Sequence, residues 1–245
     1  MLSTIGEQQE TGGAGRVAPQ RQLCLSLIIP AYNERDTIRE ALQRIRALGI
    51  PLEIIVVDDA STDGTRELLE AEPDLVLVKH AVNQGKGMAI RSALERVTGD
   101  VVAIQDADLE YEPRDLLRLM APIARGEARV VYGSRFLGGR PPMQFPNYVC
   151  NQLLAWTANI LYGARITDEA TCYKVFDAAL IRSISLECRR FEFCPEVTAK
   201  VCKLGERIVE IPISYAPRSY DSGKKIRWSD GVVALWTLIK YRFQR

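Results

Sequence analysis

The sequence predicts an α/β fold: a Rossmann-like, mostly parallel sheet with helices on both faces. Three observations carry this reading. Short apolar runs of strand length recur through residues 23–137. Between them lie segments with apolar residues at helical spacing, such as Ile38, Leu42, Ile45 and Leu48. The acidic, polar and glycine-rich residues fall after the strands and seldom before them. Strand and helix in alternation mean parallel strands joined by right-handed crossovers, which gather those loops on one edge.

Leu25 to Pro30 (LSLIIP) is the first strand, running into Ala31-Tyr32-Asn33-Glu34. Asn33 or a neighbour can cap the next helix, which stops at Gly49. Pro51 starts the second strand, Glu53 to Val57, which ends in Asp58-Asp59. Ala60 to Thr65 is rich in capping residues and opens a helix to Glu70. Leu75 to Lys79 is the third strand, and Asn83-Gln84-Gly85-Lys86-Gly87 is a glycine-flanked loop before a helix from Met88 to Val97. Val101 to Ile104 has no polar face and reads as the central buried strand. A helix from Pro113 to about Ala124 follows, then a strand from Arg129 to Tyr132 ending in Gly133-Ser134-Arg135.

After Gly138 the pattern changes. Asn151 to Tyr162 and Gly231 to Phe243 are helix candidates rich in Leu, Trp and Tyr, Arg207 to Ile213 reads as a strand, and Ser219 to Arg227 as a basic loop. Residues 1–22 lack apolar residues in number and predict a disordered tail. Residues 23–245 then read as one domain, 23–137 as a nucleotide half and 138–245 as an acceptor half with C-terminal helices.

Composition narrows the function. A net charge of +1 gives no reason to expect nucleic acid. The single histidine, His80, argues against a His-based metal site or a Ser-His-Asp triad and fits a structural place at a strand end. Six cysteines without a CxxC pair read as reduced thiols in a cytoplasmic protein. No apolar h-region follows Met1, and no run approaches the roughly 20 apolar residues of a membrane span. Work at a membrane would be done from its surface.

The chemistry centres on VVAIQDADLEYE, residues 101–112. Residues two apart in an extended chain project to one side, so Asp106 and Asp108 converge, with Glu110 nearby. Clustered carboxylates repel unless a cation or proton neutralises them, and oxygen-only ligands suit Mg2+ or Mn2+ holding a phosphate. An acidic turn capping the helix near Pro113 is the other reading of the same residues. Asp59 could accept from a base or ribose, with Asp58 and Asp59 as helix caps the alternative. Lys86, between two glycines, offers a cation for phosphate or is a solvated turn residue.

Taken together, Pro30 to Glu34 (PAYNE), Val57 to Thr65 (VDDASTDGT), Asn83 to Gly87 (NQGKG) and Asp106 to Glu110 (DADLE) resemble the family-two inverting glycosyltransferases of the GT-A fold. Gly133-Ser134-Arg135, Asp168 to Lys174 (DEATCYK) and Gly223-Lys224-Lys225-Ile226 are similar to its polyprenol-phosphate sugar transferase branch, which includes dolichol-phosphate mannose synthase. Two departures stand out: Glu110 occupies a position where that branch often has Gln, and no membrane spans follow the last helix.

The resemblance implies a nucleotide diphosphate sugar, a GDP- or UDP-hexose, bound by Pro30, Tyr32, Glu34, Asp59, Lys86 and Asp106. It implies Mg2+ or Mn2+ held by Asp106, Asp108 and Glu110. Asp108, Asp168 and Arg135 are the candidate catalytic residues, Asp168 orienting the acceptor or acting as base on a hydroxyl. Arg135, Arg218, Lys224 and Lys225 would hold the diphosphate or an acceptor phosphate. The implied acceptor is polyprenyl phosphate at the cytosolic membrane face. A polysaccharide, glycolipid or protein hydroxyl is the alternative, and a non-catalytic nucleotide-sugar-binding subunit the third. The aromatic helices read as a membrane-facing surface, as core, or as the seam of a homo-oligomer, and a membrane-anchoring partner fits as well.

Overall fold

The computed structural model describes residues 23–218 and 228–244. The predicted tail and the whole basic loop from Ser219 to Arg227, with Lys224 and Lys225, lie outside the described residues. In chain order come β1 (Leu25–Ala31), α1 (Ile38–Arg46), β2 (Leu52–Asp58), α2 (Thr65–Glu70), β3 (Leu75–Lys79), α3 (Lys86–Leu94), β4 (Val101–Ile104), α4 (Asp115–Ala124) and β5 (Val130–Ser134). The second half supplies α5 (Phe145–Tyr162), β6 (Lys174–Asp177), α6 (Ala178–Ser183), α7 (Phe193–Lys203), β7 (Ile208–Pro212) and α8 (Trp228–Phe243).

The strands form one sheet in the order β3-β2-β1-β4-β6-β5-β7. β1 and β4 sit in its middle, and every residue of β4 is buried, as a run without a polar face requires. Each fully buried Ile or Leu there contributes roughly 1.5–3 kcal/mol over exposure. The register sets Ile28 beside Ile104 and Ala31 beside Asp58, so the loops after β1, β2 and β4 open on one edge.

Three elements were not expected from sequence. β6 pairs antiparallel with both β4 and β5, with Ala103 opposite Val175 and Tyr132 opposite Lys174. Its amino end, not its carboxyl end, therefore meets the loop edge. Helices α6 and α7 follow it. The helix expected from Asn151 begins at Phe145, with Pro146 in its first turn, where a missing N–H costs nothing.

α5 and α8 pack against each other, close enough that a Cβ on Gly231 would meet Cys150 Sγ at 2.7 Å. The Tyr162 hydroxyl donates to the Leu238 carbonyl at 2.5 Å. On their outer side Phe145, Val149, Leu153, Trp156 and Ile160 of α5 are exposed, as are Val232, Val233, Trp236, Ile239 and Phe243 of α8.

Candidate active site

The loop edge closes round a cavity of about 720 Å³. Pro30, Tyr32 and Glu34 after β1, Asp59 after β2 and Lys86 at the start of α3 line one side. Asp106, Asp108 and Glu110 after β4, with Arg135 and Arg218, line the other. Of the described site residues expected from sequence, Asp168 alone is not in the wall.

Asp59 shapes this wall from behind. Its Oδ1 lies 2.7 Å from His80 Nδ1 and accepts the Gln84 N–H at 2.8 Å, while Oδ2 accepts the Gly85 N–H at 2.7 Å. The carboxylate is nearly buried and holds the 83–87 loop from the cavity wall. Asp58 is likewise occupied, by Arg66 Nε at 2.6 Å and the Ser61 N–H.

The glycines of that loop allow a close approach, but the neighbour is this chain. Gly85 has φ 92°, and a Cβ there would stand 2.5 Å from the Arg189 carbonyl oxygen. The Gly87 and Met88 N–H groups donate to the Arg190 and Arg189 carbonyls at 2.8 and 2.9 Å. The amino end of α3 is therefore filled by the segment leading into α7, and Lys86 brings the charge of this loop to the cavity, beside Asn83, Gly85 and Ala89.

Lys86 Nζ donates to Asp106 Oδ1 at 2.5 Å and lies 3.5 Å from Cys172 Sγ. Burial works against its charge, yet Asp106, together with Cys172 and Cys194, outweighs burial and holds the ammonium charged well beyond the ordinary lysine range. Arg218 plays the matching part beyond. Its Nη2 donates to Glu34 Oε2 at 2.8 Å and stands 3.7 Å from Asp108 Oδ2, and its Nε donates to the Asp108 carbonyl at 2.7 Å.

The three acids do not converge as an extended chain would make them. The backbone turns after Asp106, and Leu109 adopts φ 62° in the left-handed region. Glu110 is drawn away: its carboxylate accepts from the Tyr215 hydroxyl at 3.1 Å and the Arg218 N–H at 2.9 Å. Among the described residues no three acids, histidines or cysteines gather at one point. Asp106 and Asp108, partly exposed in the cavity and each facing a side-chain cation, remain as oxygen donors. Two carboxylates, completed by phosphate oxygens and water, suit Mg2+ or Mn2+, so the donor set fits such an ion without Glu110.

Arg135 and Asp168 form a doubly hydrogen-bonded pair, Nε to Oδ2 and Nη2 to Oδ1, each 2.7 Å. The Arg135 N–H also donates to Oδ2, at 3.0 Å. Asn151 Oδ1 accepts from Nη2 at 3.1 Å, and the guanidinium lies 5.2 Å from the Tyr215 ring centre. Burial opposes the charge on Arg135, and Asp168, with Tyr111 and Tyr215, more than restores it. Asp168 is fully buried with both oxygens committed, so neither a surface turn nor a general base describes it; it positions Arg135. Behind it, burial raises Glu169 above the usual glutamate range; its Oε1 accepts from Thr198 at 3.1 Å, and Oε2 has no partner among the described residues.

The cavity contains residues the sequence did not single out. The rings of Tyr111 and Tyr215 meet at 5.5 Å, tilted by 53°, with Arg135 over Tyr215; Arg190 enters from the segment before α7 and Cys194 from its first turn. The sequence signal for the first two is an aromatic just after the acidic motif and another shortly before Arg218. For Arg190 there is none.

A parallel sheet interrupted by one reversed strand, with an acidic turn after the central strand, defines a GT-A type glycosyltransferase. The chain belongs to glycosyl transferase family 2, whose model matches residues 26–188. An undecaprenyl-phosphate mannosyltransferase of Micrococcus luteus is 30% identical over 221 residues, 84% of this chain and 88% of that one. A polyprenol monophosphomannose synthase of Mycolicibacterium smegmatis is 29% identical over 96% of this chain and 95% of its own length. The low-salt glycan biosynthesis hexosyltransferase Agl6 of Haloferax volcanii is 32% identical over 79% of this chain, which spans 48% of that relative. In fold, glucosyl-3-phosphoglycerate synthase of Mycobacterium tuberculosis, solved with Mn2+, UDP and phosphoglyceric acid, superposes with a TM-score of 0.70 at 20% identity, covering 91% of this chain and 80% of that one.

Proposed function

We propose that this glycosyltransferase is an inverting, divalent-metal-dependent hexosyltransferase moving a hexose from a GDP- or UDP-sugar to polyprenyl phosphate at the cytosolic membrane face. One observation carries the reading. The cavity that begins at Asp106 and Asp108 continues between α5 and α8, where Met143, Pro146, Cys150, Leu154, Gly231 and Ala234 line it. A charged diphosphate end and an apolar end in one cavity match a donor and a lipid phosphate meeting in the middle. The exposed apolar side of α5 and α8, with Lys240 and Arg242 in the last turn of α8, suits a lipid surface. No described helix is long and apolar enough to cross a membrane. The lipid-phosphate acceptors in the relatives' names support the same acceptor class.

Mg2+ or Mn2+ on Asp106 and Asp108 would neutralise charge on the leaving diphosphate as a Lewis acid. Lys86 and Arg218 supply further positive charge beside those carboxylates. Arg135, locked by Asp168 and Asn151, holds a fixed cation where the acceptor phosphate would arrive. A phosphate monoester is already anionic at neutral pH, so positioning replaces deprotonation. One of its oxygens bonds to the anomeric carbon, the bond from that carbon to the diphosphate breaks on the opposite face, and configuration inverts. Asp168, with both oxygens held by Arg135, is not needed as a base.

The test is turnover of GDP- and UDP-hexoses with polyprenyl phosphate and Mn2+, read as lipid-linked sugar. Asp108→Ala is expected to abolish product. Transfer to a soluble hydroxyl but not to lipid phosphate would overturn the acceptor. No turnover of any nucleotide sugar would overturn the whole reading.

A further inference from the structure

Among the described residues four cations line the cavity: Lys86, Arg135, Arg190 and Arg218. Three already face a carboxylate, Lys86 on Asp106, Arg135 on Asp168 and Arg218 on Glu34. Arg190 differs. Its backbone N–H donates to Glu192 at 2.6 Å, but its guanidinium takes no carboxylate among the described residues.

The backbone that carries it is firmly held. The Arg190 carbonyl accepts the Gly87 N–H at 2.8 Å, and that of Arg189 accepts Met88 at 2.9 Å. Its Cγ passes Gly85 so closely that a Cβ there would be 3.0 Å away. The stem of Arg190 thus crosses the loop that presents Lys86, and Lys86 in turn reaches Asp106. This is the donor side of the cavity, opposite the opening between α5 and α8.

Charge accounting gives this position a use. On the proposed reading, on which this inference rests, the donor enters with two negative charges on its diphosphate. When the bond between the anomeric carbon and the terminal phosphate breaks, its electron pair stays on the phosphate oxygen. The nucleoside diphosphate then carries a third charge, while the acceptor phosphate oxygen takes its place on the sugar. The three paired cations are largely offset by their own carboxylates. We propose that Arg190 is a catalytic residue that meets the terminal phosphate of the nucleoside diphosphate and takes up the charge developing there. An interaction that strengthens as the bond breaks accelerates the step rather than merely tightening binding.

The experiment uses the full chain with Mn2+ and compares wild type, Arg190→Gln and Arg190→Lys. Calorimetry measures the affinity of the nucleoside diphosphate and of the matching monophosphate, UDP with UMP and GDP with GMP, for whichever base the wild type takes. Arg190→Gln is expected to weaken the diphosphate about tenfold or more while the monophosphate stays within about twofold. In turnover it is expected to lower kcat by more than it raises KM, with Arg190→Lys restoring part of the loss. Arg190 is exposed, so thermal melting of both variants should match wild type. Equal losses for diphosphate and monophosphate, or no loss for either, would overturn the assignment and leave Arg190 a loop residue. If the wild type binds the diphosphate but transfers no sugar, the proposed function fails, and the binding comparison still decides Arg190.

Discussion

Arg135 and Asp168 meet through two parallel hydrogen bonds of 2.7 Å at a point where Asp168 is entirely shielded from water. A planar guanidinium matched to a carboxylate in this way is fixed in direction as well as place.

Removing the carboxylate leaves a buried, unmatched cation. Asp168→Ala is expected to cost roughly 3–5 kcal/mol of stability, read as a lowered urea midpoint, and to abolish turnover. A variant that loses turnover with an unchanged midpoint would restore Asp168 as a base.

The contact between Gly85 and the Arg189 carbonyl leaves no space for a methyl group. Gly85→Ala also forces a side chain into a left-handed backbone at φ 92°. Together these are expected to cost on the order of 2 kcal/mol or more. Thermal unfolding measures it, and an unshifted melting temperature would show that the 83–87 loop and the Arg189–Arg190 segment are not joined as described.

Glu169 gives the fold a pH dependence with a definite sign. Burial raises its folded value, so folding favours the protonated form. Its contribution is complete below the ordinary glutamate range and is lost as pH rises through the raised value. Glu169→Gln removes that loss. From pH 4 to pH 7 the variant should gain on wild type in urea melts. A constant difference across that window contradicts a raised Glu169 carboxyl at this site.

Trp156 and Trp236, 62% and 63% exposed, stand on the outer side of α5 and α8. Changing both to Glu should leave stability within about 0.5 kcal/mol. Sedimentation with anionic vesicles should fall about tenfold or more, since each Trp buries a large apolar area at an interface. Unchanged vesicle binding would assign this face to another partner.

Much of the first half was legible because its strands are continuous apolar runs and its helices have one apolar stripe. Ile38, Leu42, Ile45 and Leu48 are all buried, as their spacing requires. Helix α7 gave no such signal. It buries Phe193, Pro195, Glu196, Val197, Thr198, Ala199 and Val201, so neither its apolar nor its polar residues keep to one face. β6 is four residues long and lies directly after the DEATCYK segment, whose chemistry masked it. Within the site, the acids and cations were identifiable by type and place after strands. Their partners were not: Asp168 lies 33 residues from Arg135, and Arg218 lies 184 from Glu34. Pairing at that range is decided by packing that no local pattern records.

One reversed strand has a lasting effect on how this chain can diversify. Because β6 enters the sheet backwards, the stretch just before it, and not the stretch after it, abuts Asp106 and Arg135. Residues 163–173 therefore form a replaceable cassette at the reacting end, bounded by a helix on one side and a strand on the other. Changes in that stretch act directly on the surroundings of Arg135, through Asp168, while the parallel strands β1, β2 and β4 keep their register.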